Sequence, residues 1–400
     1  MNARHVRKFL PFYMALYTMI IFGVSDMVRG VIGPSLLQTF HINYAWLGFL
    51  FSISSIGYLI SSFFGGFLLE RFGQKKVMLL GTVLFAVGFC IIGSAPAYMV
   101  LAIGYSATGL GSGVMEIAVN SIVPQLFTVH QSRFFNLLHG FYGTGATVAP
   151  LVAAWLIVVL HTWRYSYVWL AAMTIILLAG VIFTGYPPLP HAPERIDAQG
   201  SLPAGVPTST PLSVVLKEPL LYLLIIAIMI YVTAEGGMAN WLPTYLHAVR
   251  GFTTTDAANY LSAFYLTFTI GRFAGSVIVH RIGSFRSIII AALIAFVADL
   301  IPLLFAHHSA FFFIIAGFFY GIIFPTISSL ASEMFPKRTA TVMSLLFTFA
   351  ALGSIVATWL IGVIASSINL TAGFIVMDIA LLVTGLLILV VVMTKRFVRS

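Results

Sequence analysis

The chain has 400 residues, of which 60% are hydrophobic and only 8% charged. So little charge excludes an ordinary water-soluble domain, the apolar content excludes disorder, and the single Cys90 inside an apolar run excludes a disulfide scaffold. The surplus of 20 basic over 11 acidic residues suits either nucleic-acid contact or a membrane protein with basic loops on one side, and the placement of the charges decides between them.

In chain order, twelve mostly apolar runs reach the roughly 20 residues that a membrane-spanning helix needs. The first six cover 10–38, 45–69, 77–95, 98–126, 134–160 and 167–186. The second six cover 219–248, 257–280, 287–306, 310–335, 340–366 and 371–393. Between the sets lies 187–217, rich in Pro, Ala and Ser and holding Glu194, Arg195 and Asp197. The expectation is an all-α integral membrane protein: a bundle over 1–186, a cytoplasmic linker over 187–217 and a bundle over 218–400. Asp26 and Arg29 interrupt the first run and no small-residue cleavage pattern follows, so it reads as a helix and not a signal peptide.

With both termini cytoplasmic, sixteen of the basic residues fall on the inner side, among them Arg4, Arg71, Lys75, Lys76, Arg133, Arg281, Arg286, Lys337 and Arg396. Only Arg164 and Arg250 fall outside, and Arg29 and Arg272 lie within spans. That asymmetry is the positive-inside pattern of a multi-pass protein in the cell's inner (plasma) membrane. It accounts for the net charge, so no nucleic-acid partner is expected.

The two halves repeat. Asp26, Pro34 and Leu37 match Glu235, Pro243 and Leu246 at an offset of 209, and Gly65, Arg71, Gly73 and Lys76 match Gly275, Arg281, Gly283 and Arg286 at 210. Gly109, Gly113, Phe127 and Gly145 match Gly317, Gly321, Phe335 and Gly353 at 208. Parallel repeats of this kind place a substrate site between the halves, near mid-membrane.

Five of the eleven acids lie inside spans: Asp26, Glu116, Glu235, Asp299 and Asp378. An intramembrane carboxylate is costly and marks a functional site by default. Desolvation disfavours the charged form, which suits such a group to carrying protons. Asp26 and Arg29, three apart, share a helix face; they either neutralise each other or place Asp26 in a cavity. Glu116 has Asn120 one turn later and no basic residue within its span. Asn136, His139, Tyr142 and Gly143 form one stripe, read either as substrate contacts or as helix–helix hydrogen bonds. Tyr231 and Glu235 share a face, with Asn240 and Trp241 following; Trp241 serves the site or anchors at the membrane interface. The candidate proton-coupling residues are therefore Glu116, Asp26 and Glu235. The candidate substrate contacts are Asp26, Arg29, Asn120, Asn136, His139, Tyr142, Tyr231, Asn240 and Trp241.

After the second span the chain reads Gly66-Phe-Leu-Leu-Glu70-Arg71-Phe-Gly73-Gln-Lys75-Lys76. This resembles the G-x-x-x-D-R-x-G-x-K-K loop of the major facilitator superfamily, with Glu in place of Asp. The partner loop keeps Arg281 and Gly283 but has His280 at the acid position. The resemblance, carried across the chain by the six-plus-six repeat, implies two six-helix bundles working by alternating access. Glu70, Arg71, Gly73 and Arg281 then form a breakable cytoplasmic gate, and the third, sixth, ninth and twelfth helices are peripheral supports, so Asp299 and Asp378 read as structural.

Three stretches are more specific. Gly113-Val-Met-Glu116-Ile-Ala-Val-Asn120 resembles the G-x-x-E-x-x-x-N pattern of the fucose–hexose–proton symporter branch, which implies Glu116 as the proton-coupling residue and Asp26 as its first-helix sugar-recognising acid. Asn136-Leu-Leu-His139-Gly-Phe-Tyr142-Gly143-Thr-Gly145-Ala resembles the fifth helix of that branch, with fewer Gln. Ala234-Glu235-Gly-Gly-Met-Ala-Asn240-Trp241-Leu-Pro243 resembles the seventh helix of its bacterial glucose/mannose members. The expected function is proton-coupled symport of a sugar or similar small polar solute, by a monomer in the lipid bilayer. Arg29 favours a partly anionic substrate. The rival is a proton-coupled exporter of drugs, lipids or other amphipathic compounds. No nucleotide loop, His/Cys metal spacing or nucleophile elbow points to an enzyme, a cofactor or a metal.

Overall fold

The computed structural model describes residues 3–127, 131–186, 218–305, 307–335 and 339–397. The expected linker over 187–217 lies outside these residues, as does the side chain of Asn136. The described chain is helical almost throughout. The N-terminal helices are α1 (Ala3–Phe40), α2 (Tyr44–Phe72), α3 (Gln74–Ser94), α4 (Tyr98–Leu126), α5 (Gln131–Leu160) and α6 (Arg164–Phe183). The C-terminal ones are α7 (Pro219–Arg250), α8 (Thr254–Ile282), α9 (Ser284–Leu304), α10 (Phe312–Met334), α11 (Thr339–Ser367) and α12 (Leu370–Phe397). A 3-10 turn, His307–Phe311, precedes α10.

Helices are the expected answer to a long apolar run in lipid, because each satisfies its own backbone. Eleven of the described helices are long and apolar enough to cross a membrane. The exception, α8, carries Arg272 in its interior, with Asp256 in its first turn and His280 and Arg281 in its last. The turns are written in the sequence. Asn43 caps α2 by accepting from the Trp46 amide at 3.0 Å, and Thr253 caps α8 by accepting from the Asp256 amide at 3.1 Å. Gly73 and Gly283 both adopt positive φ, 78° and 86°, each ending one helix and starting the next. The two arginines of the opposite side cap helix ends: Arg164 donates to the Gly93 carbonyl at 3.1 Å and Arg250 to the Phe305 carbonyl at 2.8 Å.

The repeated glycines are points where helices nearly touch. A Cβ on Gly109 would collide with the Ser54 backbone, joining α4 to α2, and one on Gly317 with the Phe264 carbonyl, joining α10 to α8. Gly145 meets Ile20 of α1, as Gly353 meets Met229 of α7. Small residues at such crossings let backbones approach in the absence of a hydrophobic drive. The helices α3, α6, α9 and α12 pack within their own halves.

The halves meet chiefly through α1–α7, α2–α11 and α5–α8, and these contacts crowd towards the end of the molecule away from the chain termini. There the Ser52 hydroxyl lies 2.6 Å from that of Thr358 and donates to the Ile355 carbonyl at 3.0 Å. The Ala45 amide donates to Ser366 at 2.8 Å, and Gly30 and Gly48 abut the Ala239 and Thr358 carbonyls. Towards the other end, Phe63 and Phe67 on α2, Val277 on α8 and Phe347 on α11 are exposed, while Phe273 of α8 still lies beside Gly140 of α5. The two bundles are thus closed against each other at the far end, and the contacts between them thin out towards the end bearing the termini.

Candidate functional site

The polar side chains of α1, α2, α4, α5, α7 and α8 gather where the bundles face each other. On α1, Asp26 accepts from the Arg29 guanidinium at 2.6 Å through Oδ1 and from the Tyr142 hydroxyl of α5 at 2.9 Å through Oδ2. Its side chain is still 39% exposed. Asp26 is thus ion-paired with Arg29 while part of its side chain stays exposed. In the other half, Glu235 of α7 meets Arg272 of α8 at 3.8 Å, while that guanidinium lies over the Phe268 ring, 4.5 Å from its centre. The Arg272 Nε is buried without a hydrogen-bond partner.

Glu116 on α4 is half-buried, faces the Tyr58 hydroxyl of α2 and lies near enough to Asp26 to feel its charge. No basic residue pairs with Glu116 among the described residues. The cluster thus holds three carboxylates against two guanidinium groups, and Glu116 is the odd one out. Asn120, one turn on, has a buried Oδ1 with no partner.

The remaining expected contacts divide. Tyr142 belongs to the cluster, and His139, on the same stripe of α5, is exposed near Arg272. Tyr231 is fully buried; its hydroxyl donates to the Tyr320 carbonyl of α10 at 2.8 Å and lies beside Glu235. The Asn240 amide is turned back to the Gly236 carbonyl of its own helix at 2.8 Å. Trp241 is fully buried, packed on Tyr44 and Phe51 at the closed end. It is therefore not an interfacial anchor, because the α2 residues that cover it shut out both lipid and water. Its Nε1 has no partner in this packing.

Sequence reasoning missed Tyr58, Tyr265 and Arg272. Tyr265 on α8 lies within electrostatic reach of Glu235, Asp26 and Arg272. Arg272 carried a usable signal, since it is one of two arginines inside the spans and the other, Arg29, was singled out. The tyrosines carried none, because sixteen are spread along the chain.

At the end bearing the termini, Glu70, Arg71 and Arg281 are exposed. Among the described residues no carboxylate pairs with Arg71; its guanidinium sits over the Phe67 and Phe72 rings at 5.9 and 5.6 Å. Lys75 donates to the Ile182 carbonyl at 2.7 Å, tying α3 to the end of α6.

Known proteins resemble the chain over nearly its whole length. The cis,cis-muconate transport protein of Acinetobacter baylyi is 22% identical, covering 97% of this chain and 95% of its own. The glucose/galactose transporter of Brucella abortus is 27% identical, covering 92% and 91%. Among solved structures, the E. coli fucose:proton symporter superposes with a TM-score of 0.63 at 21% identity, covering 96% of this chain and 99% of that one. The model of the Major Facilitator Superfamily matches residues 14–314 and 260–400. Two repeated six-helix bundles around a shared polar cluster, with no enzyme among these relatives, place the chain as a multi-pass membrane transporter that belongs to the Major Facilitator Superfamily.

Proposed function

We propose that the protein is a proton-coupled symporter of a sugar or similar small polar solute, working as a monomer by alternating access between bundles 1–186 and 218–400. The observation that carries this reading is that Glu116 meets no base among the described residues. Asp26 and Glu235 each have an arginine, so Glu116 is the acid whose charge is balanced by adding a proton. In this reading protonation removes the excess negative charge of the cluster and lets the bundles rock around bound substrate. Asp26, Arg29, Tyr142, Asn120 and His139 receive the solute, and Asn136 belongs to the same stripe. Each proton moved inward contributes about 2.3 kcal/mol per 100 mV and about 1.4 kcal/mol per pH unit.

The chain sits in the inner membrane with both termini cytoplasmic, which is supported by the basic turns at Arg71, Lys76, Arg281 and Arg286. In this reading the cytoplasmic end is the open one, and Arg71, which meets no carboxylate among the described residues, is the gate released. Trp241 and Asn240, sealed at the closed end, join the site when that end opens. The relatives that transport glucose, galactose and fucose support a sugar. A second reading, a carboxylate-bearing solute, is favoured by the two guanidinium groups in the cluster and by the muconate relative.

The test is Glu116→Gln in proteoliposomes, screened with sugars and dicarboxylates. Substrate exchange persists and accumulation driven by an imposed pH gradient is lost. Unchanged accumulation refutes the assignment.

A further inference from the structure

Asp299 of α9 and Asp378 of α12 lie outside the central cluster and are almost wholly buried, at 0% and 1% exposure. They are neighbours across the α9–α12 contact, near enough to repel if both are charged. The Tyr320 hydroxyl of α10 donates to Asp299 Oδ2 at 2.8 Å. The other three carboxyl oxygens, Asp299 Oδ1 and both of Asp378, are buried with no hydrogen-bond partner. No Lys, Arg or His pairs with either acid among the described residues. Among the described residues, the titratable groups that face them are Tyr320 and, behind it, Tyr231.

An isolated carboxylate is too costly to keep in such a place, and two side by side are worse. A proton on each group removes both charges. It also turns one oxygen of each acid into a hydrogen-bond donor. We propose that Asp299 and Asp378 form a second proton-binding site, enclosed in the C-terminal bundle and separate from the central cluster, that stays loaded in the folded protein. With both charges removed, the repulsion that would part α9 from α12 is gone and both stay packed against each other. Because Tyr231 donates to the backbone of Tyr320, the pair also braces the helix that carries Glu235. The pair would hold its protons whichever solute is carried and whatever the role of Glu116.

The folded protein holds protons that the unfolded chain releases at neutral pH, so stability falls as pH rises. The test uses the full chain in detergent, with thermal unfolding followed between about pH 6 and pH 9. The wild type loses melting temperature across this range, whereas Asp299→Asn/Asp378→Asn loses markedly less. Infrared difference spectra of wild type against Asp378→Asn at neutral pH show the loss of a protonated carboxyl C=O band. Asp299→Asn, which keeps an oxygen for Tyr320, gives the same result if Asp378→Asn does not fold. An unaltered pH profile in the double variant overturns the proposal, as does a wild-type spectrum with no protonated carboxyl band. Stabilisation by added sodium at constant pH, present in wild type and absent in the variants, also overturns it in favour of a cation site.

Discussion

Gly48→Ala separates packing that exists only in the closed state from packing that exists always. A Cβ at Gly48 collides with the Thr358 carbonyl of α11 and comes within 3.2 Å of the Trp241 ring. Both partners belong to the other bundle, so the clash is felt only while the far end is shut. Overpacking of this kind typically costs about 1–3 kcal/mol. Charged to one of two states, that shifts their equilibrium about 5- to 150-fold towards opening of the far end. Gly109→Ala makes the contrast: its Cβ strikes the Ser54 backbone within a single bundle, so it destabilises both states alike. The readout is the maleimide labelling rate of Thr244→Cys, a position fully buried at the closed end, in a background where the exposed Cys90 is replaced by Ser. Gly48→Ala is expected to speed labelling at least several-fold with little change in melting temperature. Gly109→Ala is expected to lower melting temperature without speeding labelling below it. Equal labelling rates in wild type and Gly48→Ala would refute the argument that this crossing is broken during the cycle.

Three further substitutions probe the cluster. Tyr142→Phe removes one of the two donors that orient Asp26; a hydrogen bond to a charged group contributes about 1.5–3 kcal/mol, so substrate binding measured by calorimetry is expected to weaken about tenfold or more, and unchanged affinity would remove Asp26 from the site. Arg272→Gln leaves Glu235 without its base, and Glu235→Gln removes the acid. Thermal unfolding of both singles and the double is expected to give an interaction energy of about 0.5–3 kcal/mol, with the double less damaged than the sum, whereas simple additivity would mean that the 3.8 Å contact has no energetic content.

The sequence by itself determined the membrane class, the number and order of the spans and the internal repeat. Those properties depend on apolar run length and on which residues recur, both local to the chain. It also pointed to Asp26, Glu116 and Glu235, because a carboxylate in hydrocarbon is conspicuous wherever it sits. Span 98–126 coincides with α4, and the repeated glycines proved to be the helix crossings. Which acid is paired was decided only by the tertiary structure. Arg29 shares a helix with Asp26, but the base that meets Glu235 comes from α8, 37 positions away on another helix. Tyr58 and Tyr142 reach Glu116 and Asp26 in the same way, from other helices. Trp241, which the sequence leaves as either a site residue or a membrane-interface anchor, is sealed under α2, because the closed end folds the two bundles over it. A hydropathy pattern records what each helix avoids, water or lipid, and leaves open which helix it meets. The partners of a charge, and with them its chemistry, are set by packing between segments far apart in the chain.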